Sequence, residues 1–549
     1  MVDLFRLSDP NETLGDTITA RQVLDRGTER IEREFRDQPE VQAELMLEVA
    51  RVYGNIGLLE RSESLIRRAL EIREELFGPE ALETSESLAQ LGHVLAARGQ
   101  RTEAIAQLQR AIAIRERALD RPDTLLARAR ADLAWEVRAI GRYDEAAALF
   151  RRALETQIAV LGEESPQVAL TMLGLASAYH DAGSLDDAET LLERALARVD
   201  TSGVQAHPFA ATALLNIGMI RRLKEDYRSA LPLVESAFAM RNDLYEPGHP
   251  LVIEAAKEWG ALLNYLGRYA EAQAVLGGAL ERASRVLSER HDDVITLREA
   301  LAINLTATGH YAEALARHDT SLTVKRAVHA EGHAAILVTL ARMGEAYLGA
   351  GRLEEASEHY RRVLDATSPG SVYRLIALRG LARIATLQGR HAEAERAFEE
   401  ALDIAAEKLR PEHRYTLAVQ RAHAALLIET GRADRAITEL EGVLAAERAK
   451  FDEPHPDIGH TLHYLGEAHL RSGDPVAAER FFRAALTNYG PLPETHWQIG
   501  DATHLLGTAL AAQGQTAAAQ PLLEDGRRIV HDHVGPESWQ ATRARESKQ

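Results

Sequence analysis

The sequence contains no cysteine, and this absence removes several kinds of site at once. Disulfide bonds, zinc sites with cysteine ligands and thiol nucleophiles are all excluded. A chain without disulfides suits a reducing compartment, so we expect the protein in the cytoplasm. Aromatic residues are also scarce at 5%, although hydrophobic residues make up 46% of the chain. That balance favours packed helices rich in alanine and leucine over a β-protein.

Basic residues are outnumbered, and lysine is rare among them. The chain has 64 Lys and Arg against 83 Asp and Glu, a net charge of −19, and only six of the basic residues are Lys. Nucleic acids and anionic membranes need a basic surface, so we expect neither as a nonspecific partner. No apolar run reaches 18 residues, and the first seven residues lack the apolar core of a signal peptide. We therefore expect no membrane insertion by this chain.

What the sequence does have is a repeat. The segment Gly141-Arg-Tyr-Asp-Glu-Ala146 recurs in stronger or weaker form at twelve turn positions, and nine of the eleven intervals between them are 42 residues. These positions are 57, 99, 141, 183, 225, 267, 309, 351, 389, 431, 473 and 514. Self-similarity at a fixed period of this size indicates a stacked array of repeats.

Each copy predicts two helices around a tight turn. Ala146, Phe150 and Ala153 follow the turn at helical spacing, and Gly183 ends the next helix. The residue five after the turn is always small, and the residue seven before it is always Gly or Ala, so the paired helices approach closely. We predict an all-α fold: an α-solenoid in which about twelve helix-turn-helix repeats of about 42 residues form a right-handed superhelix.

The period also sets the predicted boundaries. Residues 1–14 read as a polar leader and 15–40 as an N-terminal capping helix. Residues 41–367 carry repeats one to eight, and 368–533 carry repeats nine to twelve after a shortened loop where the stack is expected to bend. Residues 534–549 read as a partial capping helix with a charged, frayed tail that starts at Arg543.

The repeats resemble the tetratricopeptide repeat (TPR), whose signature is a large apolar residue, Leu-Gly or Leu-Ala, an aromatic residue and then Ala. The long period and linkers such as Ala69–Glu80 and Leu409–His413 are similar to the kinesin-light-chain type. The resemblance implies a protein-binding array. Kinesin-light-chain repeats carry Asn on the first helix, and here only Asn216 keeps it, with Glu48, Gln90 and Asp132 among the equivalents. Kinesin cargo binding is therefore not carried over.

A second resemblance concerns the N-terminus. Phe5–Pro10 and Thr17–Gly27 are similar to the stretch after the membrane segment of some bacterial Ser/Thr protein kinases, in which a TPR region follows the kinase domain. The sequence has no kinase glycine-rich loop, His-Arg-Asp loop or Asp-Phe-Gly motif. The resemblance implies a sensor or regulatory region whose catalytic domain is not in this chain.

Histidines recur, and most of them have a structural explanation. Six histidines lie 24 residues after a turn position, several of them before proline: His207, His249, His291, His333, His413 and His455. Asp123 and Ser165 occupy the same slot, which predicts helix N-caps. His460, His463 and Glu467 share a helix face, with His504 in the next repeat, and are weak candidates for a metal site.

The first helix of each pair lines the concave face of a TPR array, so the resemblance places ligand contacts there. Ten and six residues before each turn, and at the retained Asn, the candidates for partner binding are Arg51, His93, Trp135, Asn216, Glu345, Arg379, Arg383, Arg421 and Glu467. The last three arginines would suit an acidic peptide, because guanidinium forks recognise carboxylates. The alternative is a solvated face on which they pair with neighbouring Glu.

The preferred interpretation is a non-catalytic scaffold that binds a protein or peptide segment on its concave surface, without a cofactor. The regulatory region of a kinase is the alternative. A metal-dependent enzyme at His460, His463 and His504 is disfavoured, because no nucleophile–base pair or phosphate loop accompanies them. The sequence leaves the oligomeric state open.

Overall fold

The computed structural model describes residues 20–198 and 207–546, and its regular elements there are 26 α-helices with no strand. Twelve helix pairs are flanked by one single helix at each end, which confirms the predicted all-α repeat solenoid. The chain forms two compact units: unit 1, described over residues 20–198, and unit 2, described over residues 207–546. No helix in the described ranges is long and apolar enough to cross a membrane.

Unit 1 contains nine helices: α1 (Ala20–Glu34), α2 (Pro39–Asn55), α3 (Leu59–Phe77), α4 (Leu82–Ala97), α5 (Arg101–Ala118), α6 (Thr124–Ala139), α7 (Tyr143–Leu161), α8 (Pro166–Asp181) and α9 (Leu185–Leu196). Each helix packs on the next along the chain. The predicted leader, residues 1–14, lies outside the described residues, as do residues 15–19 of the predicted cap. The single helix α1 packs on α2, where Tyr53 donates a 2.6 Å hydrogen bond to Asp25.

Unit 2 contains α10 (Pro208–Leu223), α11 (Tyr227–Leu244), α12 (Pro250–Tyr265), α13 (Tyr269–Val286), α14 (Asp292–Ala307), α15 (Tyr311–Arg326), α16 (Ala334–Gly349), α17 (Leu353–Asp365), α18 (Val372–Leu387), α19 (His391–Lys408), α20 (Arg414–Glu429), α21 (Ala433–Lys450), α22 (Pro456–Arg471), α23 (Pro475–Asn488), α24 (Trp497–Ala512), α25 (Thr516–Val534) and α26 (Trp539–Glu546). The sequence analysis separated repeats eight and nine near residue 368. In the structure α17 and α18 pack across that short loop within unit 2, and the two compact units divide between α9 and α10.

The helix pairs close on small residues, as predicted. Alanines five residues after the turn, such as Ala146 and Ala314, are fully buried. Seven residues before the turn, a Cβ added to Gly260 would lie 2.3 Å from Leu276, and one added to Gly92 would lie 2.6 Å from Leu108. Real Cβ atoms do not approach other carbons so closely. Glycine at these positions therefore sets the distance between the two helices of a pair.

The tight turns need a left-handed backbone. Eleven of the twelve turn positions are glycines with positive φ, and the exception is Glu225 with φ 63°. A residue with a Cβ rarely adopts this conformation, because its side chain crowds the following carbonyl. The Glu225 backbone is therefore strained, and its surroundings must compensate.

The recurrent histidines are helix N-caps. In all six, Nδ1 accepts a hydrogen bond from a backbone N–H of the first helical turn, at 3.1–3.4 Å. Asp123 caps α6 in the same way, but Ser165 makes no side-chain cap at α8. His496 caps α24 as well; the sequence rule missed it because the preceding repeat is one residue shorter. These imidazoles are structural acceptors, as the capping prediction states.

In unit 2, turns of earlier pairs touch loops of later pairs. The carboxylate of Glu225 accepts hydrogen bonds from the backbone N–H of Arg414 at 3.1 and 3.2 Å. Added Cβ atoms would lie 2.8 Å from Pro456 at Gly267, 2.3 Å from His533 at Gly309 and 2.9 Å from Ser538 at Gly351. We call this set of contacts the seam. It joins turn positions 225, 267, 309 and 351 to residues at the starts of α20, α22, α24 and α26 and, through His533, to the end of α25.

Further hydrogen bonds cross the seam beside these contacts. The ring N–H of Trp497 donates to the Tyr311 hydroxyl at 2.9 Å, and Gln540 donates to the Gly349 carbonyl at 2.8 Å. The turn glycines of unit 1, by contrast, have no atom within 4 Å of an added Cβ. The first helices of unit 2 thus line a cavity that these long-range contacts border, whereas no such contact is made at the turn glycines beside the groove of unit 1.

Candidate functional site

Unit 1 has a groove of about 550 Å³ lined mainly by α2, α4 and α6, the first helices of three consecutive pairs. The predicted residues Arg51 and His93 both lie in it, and their side chains are 60% and 59% exposed. The groove is therefore accessible from solvent. We call it the unit 1 groove.

Charges in the unit 1 groove are nearly balanced. Arg51 pairs with Glu48, and Nδ1 of His93 lies 3.8 Å from the carboxylate of Asp132. Burial raises the pKa of Asp132, and the charges of His93 and Arg128 partly offset that effect. A ligand with a large net charge of either sign would gain little in such a place.

Uncharged hydrogen-bonding groups in the unit 1 groove lack partners. In the part of the chain that the structure describes, the side-chain amides of Gln90 and Asn55 make no hydrogen bond. Apolar side chains lie beside them, including Leu125, which is 40% exposed. An amide can both donate to and accept from a peptide main chain. The groove thus combines main-chain recognition with room for apolar side chains.

Trp135 lies on α6 one turn beyond Asp132. Its ring is 37% exposed and meets Phe150 edge to face, with 5.3 Å between ring centroids. The guanidinium of Arg138 lies 5.3 Å from the ring centroid. One edge of Trp135 is therefore fixed by packing, while the rest of the ring remains exposed on the helix that lines the groove.

Unit 2 contains a cavity of about 260 Å³ inside the stack of first helices. Its walls are unusually charged for an interior, with four arginines and three carboxylates among aromatic rings. The charged lining residues are Glu345, Arg379, Arg383, Arg421, Asp457, Asp501 and Arg543. We call this space the unit 2 cavity.

Two of the predicted arginines share one carboxylate. Arg379 contacts Glu345, and Nη1 of Arg383 lies 3.3 Å from the same carboxylate. Burial opposes ionisation of Glu345, but nearby guanidinium groups outweigh it and lower its pKa to about 2. These groups belong to Arg379, Arg383 and Arg342, in that order of effect.

Arg421 pairs with two other carboxylates. Its guanidinium lies 2.5 Å from Glu447 and 3.1 Å from Asp457. Burial raises the pKa of Glu447 to about 7, against the opposing charge of Arg421. The positive charge of Arg421 is thus already compensated inside the protein.

A third cluster contains the metal candidates. His463, Glu467 and Asp501 each offer a ligand atom, and these atoms lie within 4.8 Å of one another. Nε2 of His463 lies 2.8 Å from Glu467 and 3.4 Å from Asp501, and Arg543 also pairs with Glu467. Burial disfavours protonation of His463, but hydrogen bonds to Asp501 and Glu467 raise its pKa to about 9.

This donor set does not fit a metal ion. The Arg543 guanidinium already lies against the Glu467 carboxylate that a cation would need as a ligand. The other two candidate histidines are engaged elsewhere: His460 contacts Gln498, and Nδ1 of His504 lies 3.2 Å from the carbonyl of Leu523. The cluster is a buried ion network in which an arginine and an imidazolium balance two carboxylates.

Comparison with known families matches most of the chain to tetratricopeptide repeats. One such family model covers residues 41–117, 89–157, 134–200, 253–327, 300–368, 373–446 and 415–490. Two further tetratricopeptide models match residues 173–243 and 500–525. The chain is a tetratricopeptide repeat protein. No curated protein matches the sequence.

Solved structures share the TPR fold at low sequence identity. The Cut9–Hcn1 hetero-tetramer of APC/C aligns with a TM-score of 0.52 and 11% identity, covering 96% of this chain and 94% of that one. A Rap protein complexed with Competence and Sporulation Factor aligns with a TM-score of 0.50 and 14% identity, covering 67% and 98%. BtubC (BKLC) from P. vanneervenii aligns at 0.36 and 22%, covering 41% and 91%. The first two likenesses show the fold.

Membership of the TPR family indicates a protein-interaction scaffold. The structure separates the predicted contact residues into two places: Arg51 and His93 line the unit 1 groove, whereas Glu345, Arg379, Arg383 and Arg421 line the unit 2 cavity. Glu467 is buried beside the cavity, and Asn216 lies half-buried on α10 in neither place. The three arginines are paired with carboxylates, as in the alternative interpretation; Arg379 and Arg421 are mostly buried, whereas Arg383 is half-buried.

Sequence reasoning missed Asp501 and Arg543. Asp501 lies thirteen residues before the turn position 514, and Arg543 lies thirteen residues before the point where the 42-residue period would place the next turn. Glu86 and Arg128, which line the unit 1 groove, occupy the same position in their repeats. Since this slot precedes the chosen one by three residues, it shares the same helix face. The charged C-terminus predicts a frayed tail from Arg543, but in the structure Arg543 pairs with Glu467.

Proposed function

We propose that this TPR protein is a non-catalytic scaffold that holds an extended segment of a partner protein in the unit 1 groove. The observation that supports this proposal is the contrast between the units. The same helix face is exposed in unit 1, with amides that lack partners, and is filled by internal ion pairs in unit 2. A partner segment can reach the first face without displacing internal contacts.

The occupant follows from the chemistry of the groove. Because its charges nearly cancel, the segment should carry little net charge, and its main chain should pair with Gln90 and His93. Small apolar side chains would lie against Ile66, Val94 and Leu125. The Rap protein with a related fold was solved in complex with Competence and Sporulation Factor, so a solenoid of this kind can hold a second molecule.

This proposal changes the expected nature of the partner. The acidic ligand suggested by Arg379, Arg383 and Arg421 would have to enter a cavity of about 260 Å³, which is too small for an acidic protein tail. A neutral, extended segment in the unit 1 groove avoids that difficulty. A location in the cytoplasm stays a prediction.

A direct test selects binders from a random peptide library on the full chain and measures their affinity by fluorescence anisotropy. We expect the selected peptides to bind the Gln90→Ala/His93→Ala variant at least about fivefold more weakly, because two hydrogen bonds of about 0.5–1.5 kcal/mol each are lost. Arg117→Ala is the matched control, since Arg117 is 66% exposed on α5 and pairs with Glu80 outside the groove.

Two results would reject the proposal. Selected peptides that bind the double variant as tightly as wild type would place recognition elsewhere, and a library that yields no binder would argue against peptide recognition by the groove. Circular dichroism of each variant separates loss of binding from loss of folding.

The regulatory region of a bacterial Ser/Thr kinase remains the alternative. It rests on the resemblance of Phe5–Pro10 and Thr17–Gly27, most of which lies outside the described residues, and the comparisons do not test it. The kinesin-light-chain type also stays a prediction. Both proposals use the same groove; the gene sequence upstream of Met1 would distinguish them, by encoding or lacking a kinase domain.

A further inference from the structure

The unit 2 cavity has an uneven distribution of charge. At one end Arg421 faces two carboxylates, and around Asp501 the charges of Arg543 and protonated His463 balance those of Glu467 and Asp501. Glu345 is different, because it is the single carboxylate on which Arg379, Arg383 and Arg342 act together. Positive charge therefore exceeds negative charge only around Glu345.

The arginines around Glu345 have unused hydrogen-bonding capacity. The Nε of Arg379 is buried and has no hydrogen-bond partner. Arg342, three residues before Glu345 on α16, is half-buried and does not line the cavity, although its charge also acts on Glu345. Buried donors are normally satisfied, and an unsatisfied one costs about 1–3 kcal/mol. An additional acceptor at this place would remove that cost.

Arg379 and Arg383 are arranged to hold such an acceptor. They lie one turn apart on α18, so their side chains leave the same face of the helix, and both line the cavity. The Arg383 side chain retains 31% exposure against 16% for Arg379, which leaves it the more accessible of the two. A guanidinium fork binds carboxylate and phosphate oxygens in pairs.

The rest of the cavity is aromatic and small. Tyr464, Trp497 and Trp539 line it, and the ring N–H groups of both tryptophans are bonded across the seam. Their ring faces offer an apolar surface, while the volume of about 260 Å³ approaches the lower end of small-molecule sites. The cavity is too small for a folded partner protein, but it has room for a compact small molecule.

We propose that the unit 2 cavity binds a small organic anion, whose carboxylate or phosphate group pairs with Arg379 and Arg383 and whose aromatic or aliphatic body lies against Tyr464, Trp497 and Trp539. The site is separate from the unit 1 groove, so it would make the scaffold responsive to a small molecule. Glu345 holds the arginines in place in the empty site and competes with the ligand for them.

Isothermal titration calorimetry of the full chain with four probes tests the proposal. Benzoate and phenyl phosphate carry an oxyanion on an aromatic body, benzamide has the body without the charge, and inorganic phosphate has the charge without the body. We expect benzoate or phenyl phosphate to bind at least tenfold more tightly than benzamide and than inorganic phosphate. Which of the two binds better identifies the oxyanion.

Two variants with opposite expected effects locate the site. Arg383→Gln should weaken binding of the best probe at least tenfold, whereas Glu345→Gln should strengthen it several-fold, because the competing carboxylate is removed. Arg352→Gln is the matched control: Arg352 is 53% exposed in the same unit, pairs with Glu355 and does not line the cavity. A merely destabilised protein would not bind more tightly, so the second variant separates recognition from folding.

The proposal is overturned if no probe binds, if benzamide binds as well as the anions, or if neither Arg383→Gln nor Glu345→Gln changes the affinity. Equal binding of inorganic phosphate and phenyl phosphate would show that the aromatic side chains of the cavity do not contribute to recognition. If Arg383→Gln fails to fold, the direction of the Glu345→Gln effect still decides.

Discussion

Replacing Gly309 by alanine perturbs the seam at its most crowded point. Gly309 has φ +83°, and an added Cβ would lie 2.3 Å from Nε2 and 2.4 Å from Cε1 of His533. Gly473 supplies a matched control, since it holds the same turn position in unit 2 with φ +85° and has nothing within 4 Å of an added Cβ. The two substitutions differ in what the new methyl group meets.

The magnitude follows from two contributions. An alanine in the left-handed region costs about 1–2 kcal/mol, and both variants lose this amount of unfolding free energy. Gly309→Ala must also displace the His533 ring, and overpacking of this kind typically costs about 1–3 kcal/mol more. We therefore expect Gly309→Ala to lower the free energy of unfolding by roughly 2–5 kcal/mol and Gly473→Ala by only about 1–2 kcal/mol.

Tryptophan fluorescence during guanidinium unfolding is the suitable assay. The chain has four tryptophans, and in a Trp135→Phe background the remaining Trp259, Trp497 and Trp539 all report on unit 2. The ring of Trp497 is itself bonded across the seam to Tyr311. If Gly309→Ala proved no more destabilising than Gly473→Ala, the close contact between the turn and His533 would be refuted.

Three further predictions concern groups that support the same unit. Glu225→Gly should relieve backbone strain yet lower the free energy of unfolding by about 1–3 kcal/mol, because the carboxylate that bonds Arg414 is lost; a stabilised variant in chemical denaturation would contradict this. The pKa of His463 is raised to about 9, so its ionised ring should contribute on the order of 3 kcal/mol to the free energy of unfolding. This contribution is complete below pH 6.5 and should be lost as the pH rises through about 9. His463→Gln should flatten this part of the stability–pH curve, and an unchanged slope would argue against the prediction. His333→Ala should cost about 0.5–2 kcal/mol through loss of the α16 cap, with His333→Asp restoring most of it in thermal denaturation; equal loss in both variants would show that the ring contributes more than its capping nitrogen.

Local rules predicted most of the fold. The 42-residue period, small residues at the helix crossings and histidine caps each depend on neighbours in one repeat, and a periodic sequence shows such neighbours directly. Gly260 illustrates this: its spacing from the turn marks it as a packing position, and Leu276 fills the space in the structure. The type of residue and its position within the 42-residue period were sufficient to predict this packing contact.

The candidate site was less predictable, because it depends on contacts between distant repeats. Arg379 and Arg383 were identified as lining residues from their slot, but nothing in one repeat shows that Glu345 of the previous repeat would hold both. Arg543 contacts Glu467 from a helix beyond the last complete repeat, so the period could not assign it an inward position. Predicting these contacts requires the curvature of unit 2, which the sequence of a single repeat does not show.

The seam also bears on how unit 2 folds. In an array whose repeats touch only their neighbours, the end repeats can melt one at a time and repeats can be gained or lost with little effect elsewhere. Contacts such as that between Glu225 and Arg414 join residues 189 positions apart, so the mean sequence separation of contacts in unit 2 is raised. Unit 2 should therefore unfold as one cooperative block and fold more slowly than unit 1, where neighbouring pairs suffice. It should also tolerate neither deletion nor duplication of a single internal repeat, because either change would shift every later turn out of register with the loop that it meets.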